Sequence, residues 1–142
     1  HVIQPIELRT NGNQQHAIVY SLGNFISNMS AANTDGGLIF TLQLEKYPLP
    51  KPIRPLQNHS NHSPSPESFA SSFPFARVVR CGYTLVWTGR PTLTGEKNYI
   101  LYPSYSPHSH LPQSARNHLN IFIKNTRKFL VQHNTEIYEN NK

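Results

Sequence analysis

Residues 37–46 read GLIFTLQLEK, and this stretch predicts a β-strand with one buried face. Leu38, Phe40, Leu42 and Leu44 fall on one side of such a strand, whereas the alternate positions are mostly polar. Successive side chains of a strand point to opposite faces, so the alternation is typical of a half-buried antiparallel strand. The fold is therefore expected to be built around a sheet.

Two segments upstream are expected to extend this sheet. The polar RTNGNQQ at residues 9–15 contains Asn-Gly, a strong hairpin signal. The following HAIVYSLGNFIS at 16–27 is a nearly continuous apolar run, which indicates a strand buried on both faces. Gly23 interrupts the run, and a glycine within a strand indicates a bulge or a close approach of two backbones.

Downstream, residues 48–75 are rich in Pro and Ser and have no apolar period, so they predict a flexible insertion. Residues 77–88 and 97–102 then predict a hairpin, with PTLTGEK as its turn. Tyr83 and Trp87 share a face of the first hairpin strand, where they pack against a helix or form a platform for carbohydrate or peptide.

One amphipathic helix is predicted after Ser114, a good N-cap residue. It should end near His133 and Asn134, where Asn134 can take the left-handed cap. Its apolar face follows the i, i+3, i+4, i+7 spacing and comprises Leu119, Phe122, Ile123, Thr126, Phe129 and Leu130. Residues 135–142 are expected to be a frayed tail. The order of elements predicts an α/β chain, α+β-like in this segment, with one C-terminal helix.

Length and charge limit the classes of function. The 142 residues suit one domain or part of a larger one. The net charge is +6, but the basic residues are scattered and no nucleic-acid-binding signature is present, so nucleic acid is not expected as a partner. No run approaches the roughly 20 apolar residues of a membrane span. The basic residues that gather on the helix are either a solvated face or a surface for an anionic polymer: Arg116, Lys124, Arg127 and Lys128.

Several sequence blocks, in order, carry a resemblance to a known family. HVIQPIE at 1–7, IVYSLGNFISN at 18–28 and TDGGLIFTLQLEK at 34–46 resemble the C-terminal part of the CapA family. These are poly-γ-glutamate capsule biosynthesis proteins with a calcineurin-like metallophosphatase fold. VVRCGYTLVW, NYILYP and SARNHLNIFIKNTRKFLVQHN resemble later family segments, so only about 48–75 falls outside the resemblance. YSLGNF is its most specific motif.

The resemblance implies that residues 1–142 are the C-terminal part of one CapA-like domain, a metallophosphatase-like multilayer sandwich. His1 would be the last member of a metal-ligand set whose Asp-x-His, Gly-Asp and Asn-His motifs lie in a missing N-terminal half. The resemblance implies that the parent is a metal-dependent, phosphoesterase-like hydrolase or a metal-dependent component of capsule polymer assembly, using Mn, Zn or Fe. Its implied substrate is poly-γ-glutamate or a related polymer of the cell envelope. A catalytic ion normally needs three or more protein ligands, so this segment is expected to hold no metal and to be inactive alone.

Four further residues would line that site. Gln4 would hydrogen-bond near the metal and Glu7 would contact a cationic or hydroxylic substrate group; alternatively, both make ordinary hydrogen bonds at a strand end. Ser21 and Asn24 would form a polar floor under the metal; alternatively, they belong to a turn or bulge around Gly23.

Two histidine pairs are weaker candidates for metal binding, and Asp35 is a weak candidate for a catalytic acid. His59 and His62 lie in the Pro/Ser-rich insertion, and His108 and His110 form His-Ser-His. Neither pair has Cys or carboxylate ligands at typical spacing, so exposed loop histidines are expected. Asp35, before two glycines, is expected to be a turn residue.

The alternative function of the chain is a non-catalytic binding or structural module for an anionic polymer or a partner protein.

Overall fold

The computed structural model describes residues 2–11, 14–29, 31, 33–46, 76–134 and 137–140. His1 and the predicted insertion at 48–75 lie outside these residues. Strands and helices follow in the order β1 Ile6–Asn11, β2 Gln14–Val19, β3 Gly36–Lys46, β4 Ala76–Gly89, α1 Pro91–Thr94, β5 Ile100–Pro103, α2 Gln113–His133 and β6 Tyr138–Glu139. This mixture, mostly strands with two helices, confirms the coarse class predicted from the sequence.

The strands form two sheets. The hairpin that the Asn-Gly signal predicts is present as the antiparallel pair β1 and β2. Its register places Asn11 opposite Gln14, one residue later than a turn centred on residues 11–12 would give. The second sheet is centred on β4, which pairs along one edge with the antiparallel β3. On the other edge, β5 pairs antiparallel with residues 86–89 and β6 pairs parallel with residues 82–83. The predicted hairpin of 77–88 with 97–102 is therefore present as β4 and β5.

The core lies between α2 and the β4 face that carries Tyr83, Leu85 and Trp87. Burial of large apolar side chains is the main favourable term in folding, and this layer holds most of them. α2 contributes the buried residues Ala115, Leu119, Phe122, Ile123, Thr126 and Leu130. The predicted apolar face is thus largely confirmed. Tyr83 and Trp87 are core residues, and the prediction that they pack against the helix is confirmed.

The prediction of one strand buried on both faces at 16–27 is wrong. β2 ends at Val19, and after it the chain makes only isolated bridges at Leu22 and Gly23. Tyr20 and Leu22 are exposed, and Ile26 is 75% exposed. The apolar run is therefore only partly covered within the described part of the chain.

The connection between β4 and β5 and the segment after α2 also differ from expectation. Residues 91–94, for which a turn was predicted, form the short helix α1, which ends at Gly95 with φ 78°. Asn134 has φ −91° and ψ 132°, so it is extended and not a left-handed cap. The tail is not frayed at 137–140, because Ile137 is buried and Tyr138–Glu139 pair with β4.

Two expectations about α2 itself need correction. The helix begins at Gln113 with Pro112 as its N-cap, two residues before Ser114, the predicted N-cap. Phe129 is exposed and packs against His133, with the ring centroids 4.9 Å apart and the rings tilted.

Neither helix of the described part is long and apolar enough to cross a membrane.

Candidate functional site

Three segments that are distant in sequence meet at the start of β3. Ile3 bridges to Leu22, and Gly23 bridges to Gly37. The backbone N–H of Asn24 donates a hydrogen bond to the Gly36 carbonyl at 2.9 Å. The junction, as we call residues 2–4, 21–25 and 34–37, therefore joins the chain's N-terminal segment, the YSLGNF motif and the Asp-Gly-Gly turn.

Gly23 makes the junction sterically feasible. Its φ is 79°, a left-handed conformation that L side chains rarely adopt. A Cβ built on Gly23 would lie 2.7 Å from both the Gly36 carbonyl oxygen and Cγ1 of Ile3. The close backbone approach indicated by the sequence is therefore confirmed.

Ser21 and Asn24 hold the turn around Gly23. The Ser21 hydroxyl accepts a hydrogen bond from the Gly23 amide at 3.3 Å. Asn24 is buried, and its Nδ2 donates to the Thr34 carbonyl at 3.0 Å and contacts the Met29 sulfur at 3.3 Å. These contacts favour the turn interpretation of both residues.

Gln4 reaches the junction through its backbone, whereas Glu7 does not belong to it. The Gln4 amide donates to the Ser21 carbonyl at 3.1 Å, and the Gln4 side chain is exposed. Glu7 lies on β1, where its carboxylate accepts from Arg9 at 2.8 Å. That hydrogen bond lowers the pKa of Glu7, so Glu7 is an anion already paired with a cation.

The described residues do not by themselves make a metal site. No group of three or more His, Cys, Asp or Glu residues lies together within them. His1, the predicted ligand, lies outside the described residues, as do His59 and His62. His108 and His110 both lie against the Tyr102 ring, at centroid distances of 5.7 and 6.1 Å, and His108 Nε2 is 2.8 Å from the Pro103 carbonyl.

Asp35 has a structural contact that the sequence did not reveal. Its carboxylate accepts a hydrogen bond from the Trp87 indole at 2.9 Å, and its carbonyl accepts from the Thr88 amide at 2.9 Å. The Thr88 hydroxyl also bonds to the Phe25 carbonyl. The Asp-Gly-Gly turn is thereby fixed to β4, which supports the prediction of a turn residue.

The basic residues of α2 occupy different surroundings. Arg127 donates two hydrogen bonds to Glu139, at 2.7 and 2.9 Å, and Glu139 raises the pKa of Arg127. Arg116, Lys124 and Arg127 line one cavity together with serines from the loop before the helix, whereas Lys128 lies outside it. The sequence analysis missed those serines, because nothing in SYSPHS shows that this loop returns to the helix.

Comparisons with protein-family models, curated proteins and solved structures gave no match to this chain.

Proposed function

We propose that this chain is the C-terminal part of a CapA-like protein of capsule polymer biosynthesis, of the poly-γ-glutamate type. The parent would have a metallophosphatase-like fold and hydrolyse a phosphoester-type bond with Mn, Zn or Fe. Sequence N-terminal to His1 would supply most of the metal ligands.

The junction carries the proposal. The first three blocks of the family resemblance, around residues 1–7, 18–28 and 34–46, are separate in sequence but meet there through two backbone bridges. Gln4 and Ser21 are also joined by a backbone hydrogen bond. Blocks kept in order by function are expected to converge in space, and these converge within three residues of His1.

His1 has the right chemistry for the role. Imidazole suits Zn, Fe and related ions, and such ions polarise a phosphoryl oxygen and lower the pKa of a bound water. The described residues of the junction offer hydroxyl, amide and backbone groups, and no group of three or more His, Cys, Asp or Glu lies among them. Their expected role is to fix the backbone of the segment that follows His1 in sequence.

The experiment measures hydrolysis of a generic phosphodiester by the protein that includes the sequence before His1, with Mn²⁺ or Zn²⁺ added. Metal-dependent turnover that is lost in His1→Ala supports the proposal. His118→Ala is the matched control, because His118 is exposed on α2. Turnover that survives His1→Ala, or falls equally in both variants, contradicts a ligand role for His1.

A further inference from the structure

A cavity of about 580 Å³ lies between α2 and the loop that joins β5 to it. We call it the Lys124 pocket. Its loop side carries Ser104, Ser106, His108 and Ser109. Its helix side carries Arg116, Leu119, Asn120, Ile123, Lys124 and Arg127. Among the described residues, the polar ones that line this pocket are hydrogen-bond donors or cations, and none of them is Asp or Glu.

One end of the pocket is already neutral. Arg127 binds the Glu139 carboxylate through two hydrogen bonds, and Ser104 donates to the same carboxylate at 2.6 Å. A bidentate guanidinium–carboxylate pair of this kind is specific and holds both groups in place. The side chains of Arg127 and Ser104 are therefore held in place by Glu139, and we do not count them among the groups that would bind a ligand.

The other two basic lining residues, Arg116 and Lys124, keep their charge. Arg116 donates to the Ser109 carbonyl at 2.9 Å and to Gln113 Oε1 at 2.6 Å. Both acceptors are neutral, so they orient the guanidinium without cancelling its charge. Lys124, three residues before Arg127, has no ion pair among the described residues. Arg116 and Lys124 are thus two uncompensated cations beside one cavity.

Neutral donors line the same pocket. Within the described part of the chain, the side chains of Ser106, Ser109 and Asn120 make no hydrogen bond to protein. Hydroxyl and amide groups beside a held guanidinium and an ammonium are the set that binds carboxylate or phosphate oxygens. An oxyanion placed there would gain charge-assisted hydrogen bonds at little cost in ordering Arg116.

We propose that the Lys124 pocket binds an oxyanion, a carboxylate or phosphate group carried by a ligand. The pocket uses no metal and no residue of the junction, so the proposal goes beyond the metal-dependent function and does not rest on it. Failure of either one leaves the other standing.

The test is an NMR titration of the full chain with two probes, phenyl phosphate and triglutamate, at low salt. We expect chemical-shift changes at Ser106, Ser109 and Asn120 with at least one probe. Comparison of the two apparent Kd values tells whether phosphate or carboxylate is preferred.

Two charge-matched variants make the test specific. Lys124→Gln should raise the Kd of the bound probe by about tenfold, a loss of one charge-assisted contact worth about 1.4 kcal/mol. Lys128→Gln removes the same charge from an exposed helix position outside the pocket and should leave the Kd nearly unchanged. Absence of binding by both probes, or equal losses in the two variants, would overturn the proposal.

Discussion

The β3–β4 ladder has a covered end and a bare end. At the covered end, residues 36–38 of β3 pair with residues 85–87 of β4, and all six are buried. At the bare end, residues 44–46 pair with 76–78, and only Val78 among these is buried. Leu38 and Leu44 occupy the same face of one strand, yet Leu38 is 0% exposed and Leu44 is 58% exposed.

The difference comes from what packs on each end, not from the strand. Phe122 of α2 lies against Gly36, and the backbone of residues 22–24 bonds to the β3 edge at 36–38. At the bare end, residues 44–46 and 76–77 stay exposed within the described part of the chain. Alternation in a sequence therefore shows which face of a strand can be buried, but distant segments decide how much of it is.

The largest effect on stability is expected when the same substitution is made at the covered end and at the bare end of β3. Leu38→Ala should lower the free energy of unfolding by about 2–5 kcal/mol, because it opens a cavity under α2. Leu44→Ala, the same chemical change at the bare end, should stay within about 0.5 kcal/mol. Urea denaturation followed by circular dichroism measures both. Equal losses would mean that the two ends are equally packed.

A smaller effect is expected at the junction that helps to cover the buried end. Gly23→Ala forces an L side chain into a left-handed conformation and into contact with Ile3 and Gly36, at a cost of about 1–3 kcal/mol. Gly95→Ala is the control, because Gly95 has φ 78° and no atom within 4 Å of a built Cβ.

Thermal unfolding of the two variants separates the causes. Gly95→Ala reports the conformational cost alone, and the extra loss in Gly23→Ala reports the close approach. If both variants lose the same stability, the three segments of the junction do not pack as described.

The smallest effect concerns the exposed ion pair on the β1–β2 hairpin. Arg9 lowers the pKa of Glu7 below the ordinary value of 4.5. The folded state therefore gains stability from the Glu7 carboxylate at neutral pH and loses it as the pH falls below about 4.5 through the lowered pKa. Unfolding free energies of the native chain and of Glu7→Gln should differ slightly at pH 7 and converge at low pH. A difference that grows on acidification has the wrong sign for this pair.

Local patterns predicted the regular elements well. The alternation at 37–46 gave β3 within one residue at its start, and the helical spacing after Ser114 gave α2 and most of its buried face. Both elements have a periodicity that depends only on backbone geometry. The position of Gly23 likewise predicted the close approach of two backbones, because a glycine inside an apolar run often marks such an approach or a bulge.

Sequence reasoning failed where a distant partner decides the outcome. The run at 16–27 looked like one strand, but the ladder with β1 ends at Val19. Further along, Gly23 has a φ of 79° and bridges to Gly37 of β3. Ile137 is the one aliphatic residue of the sequence at 135–142. A single such residue gives no local sign that β6 pairs with the edge of β4 opposite β3. The Lys124 pocket depends on a loop returning to a helix, which composition does not encode.

Metal binding to the protein that includes the sequence before His1 is the most direct test of the central claim. We predict by calorimetric titration that Mn²⁺ or Zn²⁺ binds, that His1→Ala weakens the affinity by more than about tenfold, and that His118→Ala does not. Unchanged affinity in His1→Ala, or no binding by the native protein, would contradict the claim that His1 is a metal ligand.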